Sequence, residues 1–238
     1  MSALSGDEAR RYARHLVLRD IGGIGQQRLK AGRVALVGAG GLGSPVLAYL
    51  VAAGIGHITL IDDDEVGLSN LQRQIVHRSA DLGVSKVASA ARFAAALNDA
   101  VAVETREVRL TAENGAALLA GHDLVLDGSD TFETRSLVAT ASEALRLPLV
   151  AGAVSGWDGQ LTVFLPGGKR FTDLHPVAPA PGELPSCEVA GVLGPVTGII
   201  GTLMAMEAIK LLTGVGEPLS GRVLLYDGRS ARFTELAY

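Results

Sequence analysis

The chain is 238 residues long, 48% hydrophobic and 19% charged, with a formal net charge of −4. That length and composition suffice to bury one large domain, or a domain with a subdomain, and exclude a disordered or fibrous chain. No overall positive field is available to hold a polyanion by counterion release, so nucleic acid is not an expected partner. The single cysteine, Cys187, excludes an intramolecular disulfide. The polar, charged stretch from Met1 to Asp20 lacks a signal peptide's apolar run, and the expected address is the cytoplasm.

Residues 7–19 place Ala9, Tyr12, Ala13 and Leu16 on one helical face and Arg10, Arg11 and Arg14 on others, which predicts one amphipathic helix ended by Gly22, Gly23 and Gly25. Val34–Val37 is a short apolar run of the kind buried in a parallel sheet. Ser44–Ala53 reads as a helix with Pro45 in its first turn, closed by Gly54. A second strand, His57–Ile61, runs into Asp62, Asp63 and Asp64. Strand, glycine-rich turn, helix and acid-tipped strand make one right-handed βαβ unit.

The alternation continues with a helix over Lys86–Leu97, a strand over Val101–Glu107, a helix over Asn114–Leu119 and a buried strand over Leu124–Asp127. A helix over Thr134–Leu145 and a strand over Leu149–Ala153 follow. Hairpin-like alternation then begins at Gln160–Leu165. A proline-rich stretch, 166–185, has little periodicity and is long enough to be functional or mobile. The apolar run Val192–Leu212 is interrupted by Glu207 and Lys210 and reads as a buried helix rather than a membrane span. A last alternating strand, Arg222–Tyr226, ends the expected fold: a Rossmann-like, largely parallel α/β sheet with helices on both faces, continued by antiparallel strands.

Gly38-Ala39-Gly40-Gly41-Leu42-Gly43 meets the G-x-G-x-x-G spacing between a strand and a helix. Such a turn lets backbone approach phosphate and aims N–H groups at negative charge from a helix N-terminus. Asp62 stands where a Rossmann protein places the acid that bonds ribose hydroxyls. These features alone serve NAD, FAD and ATP about equally. Nucleotidyl transfer differs from hydride transfer in needing cations and a metal ligand converging on a triphosphate. The stretch from Asp64 to Gln74 supplies Ser69, Asn70, Gln72, Arg73 and Gln74 just beyond the sheet's carboxyl edge, and Lys86 opens the next helix. Taken alone, these residues also suit ordinary turns, caps and surface charge.

In several strings the sequence is similar to the ThiF, MoeB and HesA group, bacterial relatives of ubiquitin-activating enzymes. They include Arg11-Tyr12-x-Arg14-His15, Gly22-x-x-Gly25-Gln26-x-Arg28-Leu29 and the glycine turn. They continue with Asp62-x-Asp64, Ser69-Asn70-Leu71-Gln72-Arg73-Gln74, Lys86, Asp130-Thr131 with Arg135, and Ala190-Gly191-Val192-Leu193-Gly194-Pro195. The resemblance covers nearly the whole chain and is nearest to the MoeB type. It implies a single adenylation domain over 1–238. Within it lie a helical arm (1–30), a nucleotide-binding part (31–153) and a carrier-binding part (154–238) whose long loop is 166–190.

By the same resemblance, ATP and Mg2+ are the cofactors. Gly38, Gly40, Gly41 and Gly43 face the phosphates and Asp62 the ribose. Asp64, Ser69, Gln74 and Thr131 complete the nucleotide site. Asn70, Arg73 and Lys86 neutralise the triphosphate, and Asp130 binds magnesium. Arg14 resembles an arginine finger supplied by the neighbouring subunit of a homodimer. The implied reaction is attack of a carrier's terminal glycine carboxylate on the α-phosphate of ATP, where the carrier is a ubiquitin-like sulfur-carrier protein of MoaD or ThiS type with a Gly-Gly end.

The sequence departs from that group in one respect. Many members bind a structural zinc through two Cys-x-x-Cys pairs, and one cysteine cannot build such a site. The segment Phe171-Thr172-Asp173-Leu174-His175-Pro176 stands where the first pair falls, and a C-terminal rhodanese domain like that of some members is not expected. Cys187 matches a cysteine that forms a covalent acyl link in some relatives and is dispensable for adenylylation in others. Two other readings stand beside the adenylyltransferase: a nicotinamide-dependent oxidoreductase, which leaves Arg73, Lys86 and Asp130 without a role, and a non-catalytic carrier-binding module. A separate sulfurtransferase, thiamine synthesis and molybdenum cofactor synthesis all remain compatible with the sequence.

Overall fold

The computed structural model describes residues 3–177, 179 and 191–238. Its helices are α1 (Gly6–Arg11), α2 (Ala13–Leu16), α3 (Gly22–Ala31), α4 (Gly43–Ala53), α5 (Lys86–Leu97), α6 (Gly115–Leu119), α7 (Phe132–Ala144), α8 (Phe171–Leu174) and α9 (Gly194–Thr213). Its strands are β1 (Arg33–Val37), β2 (His57–Ile61), β3 (Ala102–Arg106), β4 (Leu124–Asp127), β5 (Leu149–Ser155), β6 (Asp158–Phe164), β7 (Arg222–Asp227) and β8 (Arg232–Ala237). They form one sheet in the order β3-β2-β1-β4-β5-β6-β7-β8. Pairing is parallel from β3 to β5 and antiparallel from β5 to β8.

Burial explains the parallel half. In β1 the four residues Val34–Val37 are buried, and all four of β4 are. Such strands, covered on both faces, read as continuous apolar runs. One face packs against α4, α5 and α9 through a cluster that includes Leu36, Leu47, Leu50, Ile58, Leu60 and Met204. The other face buries Val37, Ile61, Val125, Leu119 and Val138 under α6 and α7. The apolar run expected as a core helix is α9, which packs on α4, β5 and β6. By length and hydropathy it would span a membrane, but half of its apolar window is buried in this fold. Its buried acid, Glu207, pairs with Lys210 and accepts a hydrogen bond from Leu219 N–H.

The N-terminal expectation needs correction. The helix expected over 7–19 is two short helices, because Tyr12 leaves helical geometry (φ −97°, ψ 16°) and turns inward. Its ring is 4% exposed, and its hydroxyl accepts a hydrogen bond from Asn98 Nδ2 at 2.9 Å. Gly22, Gly23 and Gly25 do not end a helix; they open α3. Tertiary contacts outweigh glycine's poor helix propensity there. Buried Gln26 donates to Ala53 C=O at 2.8 Å and lies 2.8 Å from His15 Nδ1.

The C-terminal strand β8 was not anticipated: all six of its residues are exposed, so it carries no buried face to betray it in the sequence. The segment 171–176 is pinned by aromatic contacts. Phe171 meets Phe132, Phe164 and His175 at centroid distances of 5.4, 6.1 and 4.7 Å, and Tyr238 meets Phe164 at 6.5 Å. These rings organise the end of the fold where the resemblance led one to look for cysteines.

Candidate functional site

A cavity of about 500 Å3 opens at the carboxyl ends of β1, β2 and β4, where open α/β sheets bind ligands. β1 delivers the glycine turn to its floor. Gly38 has φ +93°, and a Cβ there would stand 2.9 Å from Gly128 O, so only glycine lets the β1 and β4 ends approach. Gly40 and Gly41 line the cavity. Gly43 does not; it begins α4, and a Cβ there would meet Gly38 O at 1.9 Å. Gly38 lines the cavity as well, so three of the four glycines present backbone to a ligand, and Gly38 and Gly43 are the two that let the turn close.

The acid end of β2 locks that turn. Asp62 accepts a hydrogen bond from Ala39 N–H at 2.7 Å through one carboxylate oxygen and from Asp64 N–H at 2.9 Å through the other. Burial pushes its pKa above the ordinary value, against the pull of the Lys86 ammonium and the two N–H donors. Lys86 Nζ lies 2.7 Å from Asp64 Oδ2, with a side chain only 8% exposed where that of Asp64 is 59% exposed. Asp63 pairs with Arg109 at 2.9 Å. The three carboxylates converge within 4.8 Å of one another, yet each already has a partner.

Arg73 reaches the cavity wall and is steadied by a hydrogen bond from Nη1 to Ser69 C=O at 2.9 Å. Gln74 also lines it, and its Oε1 is buried without a partner among the described residues. Ser69 and Asn70 are not on the wall. Asn70 Oδ1 accepts from Gly67 N–H at 2.9 Å and closes its own turn, so its side chain builds the loop that carries Arg73. Opposite, Asp130 and Thr131 line the cavity just before α7, with Thr131 Oγ1 capping that helix through Thr134 N–H at 3.1 Å. Arg135, also on the wall, donates to Ser129 C=O.

Asp130 makes no hydrogen bond or ion pair with any described residue. A free carboxylate facing a phosphate-sized cavity suits a hard cation such as Mg2+, which takes one or two carboxylates, waters and substrate phosphate oxygens. Arg14 is exposed on α2 and outside this cavity. Cys187 lies outside the described residues. One group escaped the sequence reading, and another was read only as the end of a strand. His77 is buried behind the turn with Nε2 3.0 Å from Ala39 C=O. Asp127, 1% exposed, keeps its Oδ2 unpaired among the described residues, and burial raises its pKa. Nothing in the spacing marks His77, whereas Asp127 stood in view as the tip of a strand.

A second cavity, of about 650 Å3, lies on the exposed face of the antiparallel strands. Asp158, Gln160, Tyr226 and Arg232 line it, and it shares Asp130, Thr131, Arg135 and Val154 with the first. The two therefore meet at Asp130.

Comparison with known proteins places this architecture. The chain is 47% identical over 236 residues to the sulfur carrier protein adenylyltransferase of Thermus thermophilus, covering 97% of this chain and 87% of that one. It is 44% identical over 236 residues to the SAMP-activating enzyme E1 of Haloferax volcanii, covering 99% and 87%. Against the probable adenylyltransferase/sulfurtransferase MoeZ of Mycobacterium tuberculosis, identity is 47% over 231 residues, and the chain spans 95% of itself but only 59% of that relative. Among solved structures, E. coli MccB crystallised with ATP superposes with a TM-score of 0.83 at 20% identity, over 98% of this chain and 73% of that one, a likeness of fold. The ThiF family model matches residues 12–238, and the chain belongs to the ThiF family.

Proposed function

We propose that this protein is an ATP-dependent adenylyltransferase that activates the C-terminal glycine carboxylate of a ubiquitin-like sulfur-carrier protein. One observation carries the reading: a cavity walled by the glycine turn, Arg73, Lys86 and Asp130 joins, at Asp130, a second cavity laid along a strand face. The first suits a nucleoside triphosphate and the second an extended polypeptide tail. Their junction is where a terminal carboxylate meets an α-phosphate. The names of the Thermus and Haloferax relatives agree with this chemistry.

The carboxylate is ionised at neutral pH and needs no general base. One of its oxygens attacks the α-phosphorus in line, the bond to the β-phosphate bridging oxygen breaks, and pyrophosphate leaves with the bonding electrons. The protein's share is positioning and charge neutralisation. Gly40 and Gly41 bring backbone to the phosphates, Asp62 fixes the ribose end, and Arg73 and Lys86 balance the growing charge on pyrophosphate. Asp130 would hold Mg2+, which would supply positive charge to the phosphate oxygens.

Arg14 adds a further cation from a second subunit. Ile24 on α3, Tyr49 on α4 and Met206 on α9 are more than half exposed on helices that pack side by side, the kind of surface a homodimer buries. The working compartment is the cytoplasm, and thiocarboxylate formation follows on this protein or with a separate sulfurtransferase. An oxidoreductase is disfavoured because it gives Arg73, Lys86 and Asp130 nothing to do.

Carrier-dependent exchange of labelled pyrophosphate into ATP tests the reading. Exchange that disappears in Asp130→Ala and survives Cys187→Ala is expected. Absence of exchange with every Gly-Gly-tailed carrier, of either MoaD or ThiS type, overturns it.

A further inference from the structure

The glycine turn is gripped from behind by a residue that faces no ligand. His77 is 6% exposed, and its Nε2 lies 3.0 Å from the carbonyl oxygen of Ala39, itself 1% exposed. A carbonyl only accepts, so Nε2 carries the proton and donates. On the other side of the ring, Ser89 Oγ sits 2.8 Å from Nδ1 and 2.9 Å from Asp81 Oδ2, while Arg92 holds the second oxygen of Asp81 at 2.6 Å. With Nε2 protonated, the neutral ring accepts at Nδ1, and the single proton of Ser89 Oγ serves either Nδ1 or Asp81; in both cases Ser89 seats the ring from behind while Nε2 faces the turn.

The consequence lies in the next atom along the backbone. The peptide joining Ala39 to Gly40 is planar and trans, so its N–H points opposite to its C=O. With the carbonyl drawn inward to His77, the Gly40 N–H is turned outward. Gly40 lines the cavity, and its N–H is donated to no described residue. Ala39 N–H is already committed to Asp62. Residue 39 is therefore clamped at both ends, by Asp62 and by His77, and the free donor that results is the Gly40 amide. Without the imidazole, the buried Ala39 carbonyl would lose its partner, and a flip of this peptide, easy next to glycine, would point an oxygen at the cavity.

We propose that His77 is a positioning residue of the nucleotide site, holding the Ala39–Gly40 peptide so that the Gly40 N–H is presented to a phosphate oxygen of ATP. The inference rests on the adenylyltransferase reading for the identity of the ligand, but not for the geometry of the clamp. Because the clamp is built from the protein's own residues, the contact belongs to ATP binding more than to the chemical step.

The test compares His77→Leu, which cannot donate, with His77→Gln, whose amide N–H can reach Ala39 C=O. MgATP affinity is measured by titration calorimetry, KM and kcat by carrier-dependent pyrophosphate exchange, and folding by urea midpoint. The Gly40 amide resonance is followed during MgATP titration of wild-type protein. In wild type the Gly40 resonance should move on binding. His77→Leu should bind MgATP about 10- to 100-fold more weakly, the worth of one hydrogen bond to a charged group. Its kcat should stay within about threefold, and His77→Gln should recover most of the loss. Wild-type affinity in folded His77→Leu, or a Gly40 amide indifferent to MgATP, overturns the proposal. If His77→Leu fails to fold, a His77→Gln protein that folds yet binds MgATP about 10-fold or more weakly than wild type also overturns it. A wild-type protein that binds MgATP but exchanges no pyrophosphate sinks the carrier reading and leaves the clamp standing; one that binds no MgATP sinks both.

Discussion

Replacing Lys86 by methionine removes the one ammonium buried against the acid tip of β2. Lys86 Nζ lies 2.7 Å from Asp64, and the Asp62, Asp63 and Asp64 carboxylates sit within 4.8 Å of one another beside it. Two unit charges about 4 Å apart interact by roughly 4 kcal/mol at an effective dielectric of 20, so losing this cation changes substantially how the site receives a triphosphate. Removal of one preorganised charge-stabilising group costs about 10²- to 10³-fold in rate, or about 2.7–4 kcal/mol, and that is the expected loss in kcat/KM for pyrophosphate exchange.

Folding should suffer far less from the same change. Asp64 is 59% exposed and returns to water when its partner goes, and methionine fills the space of the lysine stem. The urea midpoint should therefore correspond to a change within about 1 kcal/mol. Exchange within about threefold of wild type, in a protein that melts normally, would refute the assignment of Lys86 to the triphosphate. A large loss of stability would refute the claim that Asp64 is left solvated.

Three further outcomes are expected. Burial depresses the pKa values of His77, His122 and His175 below the ordinary imidazole value of about 6.5, so the folded protein resists protons that the unfolded chain accepts. Stability from these groups is full above 6.5 and is lost as pH falls through their folded values, so urea midpoints taken at about pH 7.5 and 5.5 should fall, and by less in His122→Gln. Gly38→Ala forces a methyl to 2.9 Å from Gly128 O at φ +93°, and should destabilise by about 1–3 kcal/mol in denaturation curves, whereas a freely tolerated alanine would contradict the tight β1–β4 approach. Mixing inactive Arg14→Ala with inactive Asp130→Ala should restore about a quarter of wild-type exchange, since about half of randomly formed dimers are mixed and one of their two sites is whole. No recovery after subunit exchange would exclude an arginine supplied in trans.

The sequence made the centre of the parallel half easy to read because β2, β1 and β4 are buried on both faces, whereas β3, at the sheet edge, is not. Val34–Val37 and Leu124–Leu126 are unbroken apolar runs and Ile58–Ile61 is interrupted only by Thr59, and glycines or acids mark their carboxyl ends. Where burial does not dictate pattern, the sequence is silent. β8 is wholly exposed and pairs only with β7, so its register comes from the hairpin and not from a hydrophobic face. The opposite failure occurs at Tyr12, where a distant partner, Asn98, draws one side chain inward and breaks a helix that local periodicity supports.

The same distinction separates legible from hidden parts of the candidate site. Arg73, Lys86 and Asp130 are singled out by the resemblance to the ThiF, MoeB and HesA group, since their charges alone also suit turns and surface, and all three line one cavity. Ser69 and Asn70 come with the same resemblance; neither lines that cavity, and Asn70 Oδ1 accepts from Gly67 N–H. His77, by contrast, follows Ile75 and Val76 like an ordinary residue of a turn, and its distance of 3.0 Å to Ala39 C=O spans 38 residues of chain. Spacing within a motif can identify which backbone approaches a phosphate. It cannot identify what holds that backbone in one orientation, because the restraint comes from a different segment brought in by the sheet. A phosphate-binding turn read from glycines alone is therefore half described: the other half is the pair of side chains, here Asp62 and His77, that decide which way its peptides face.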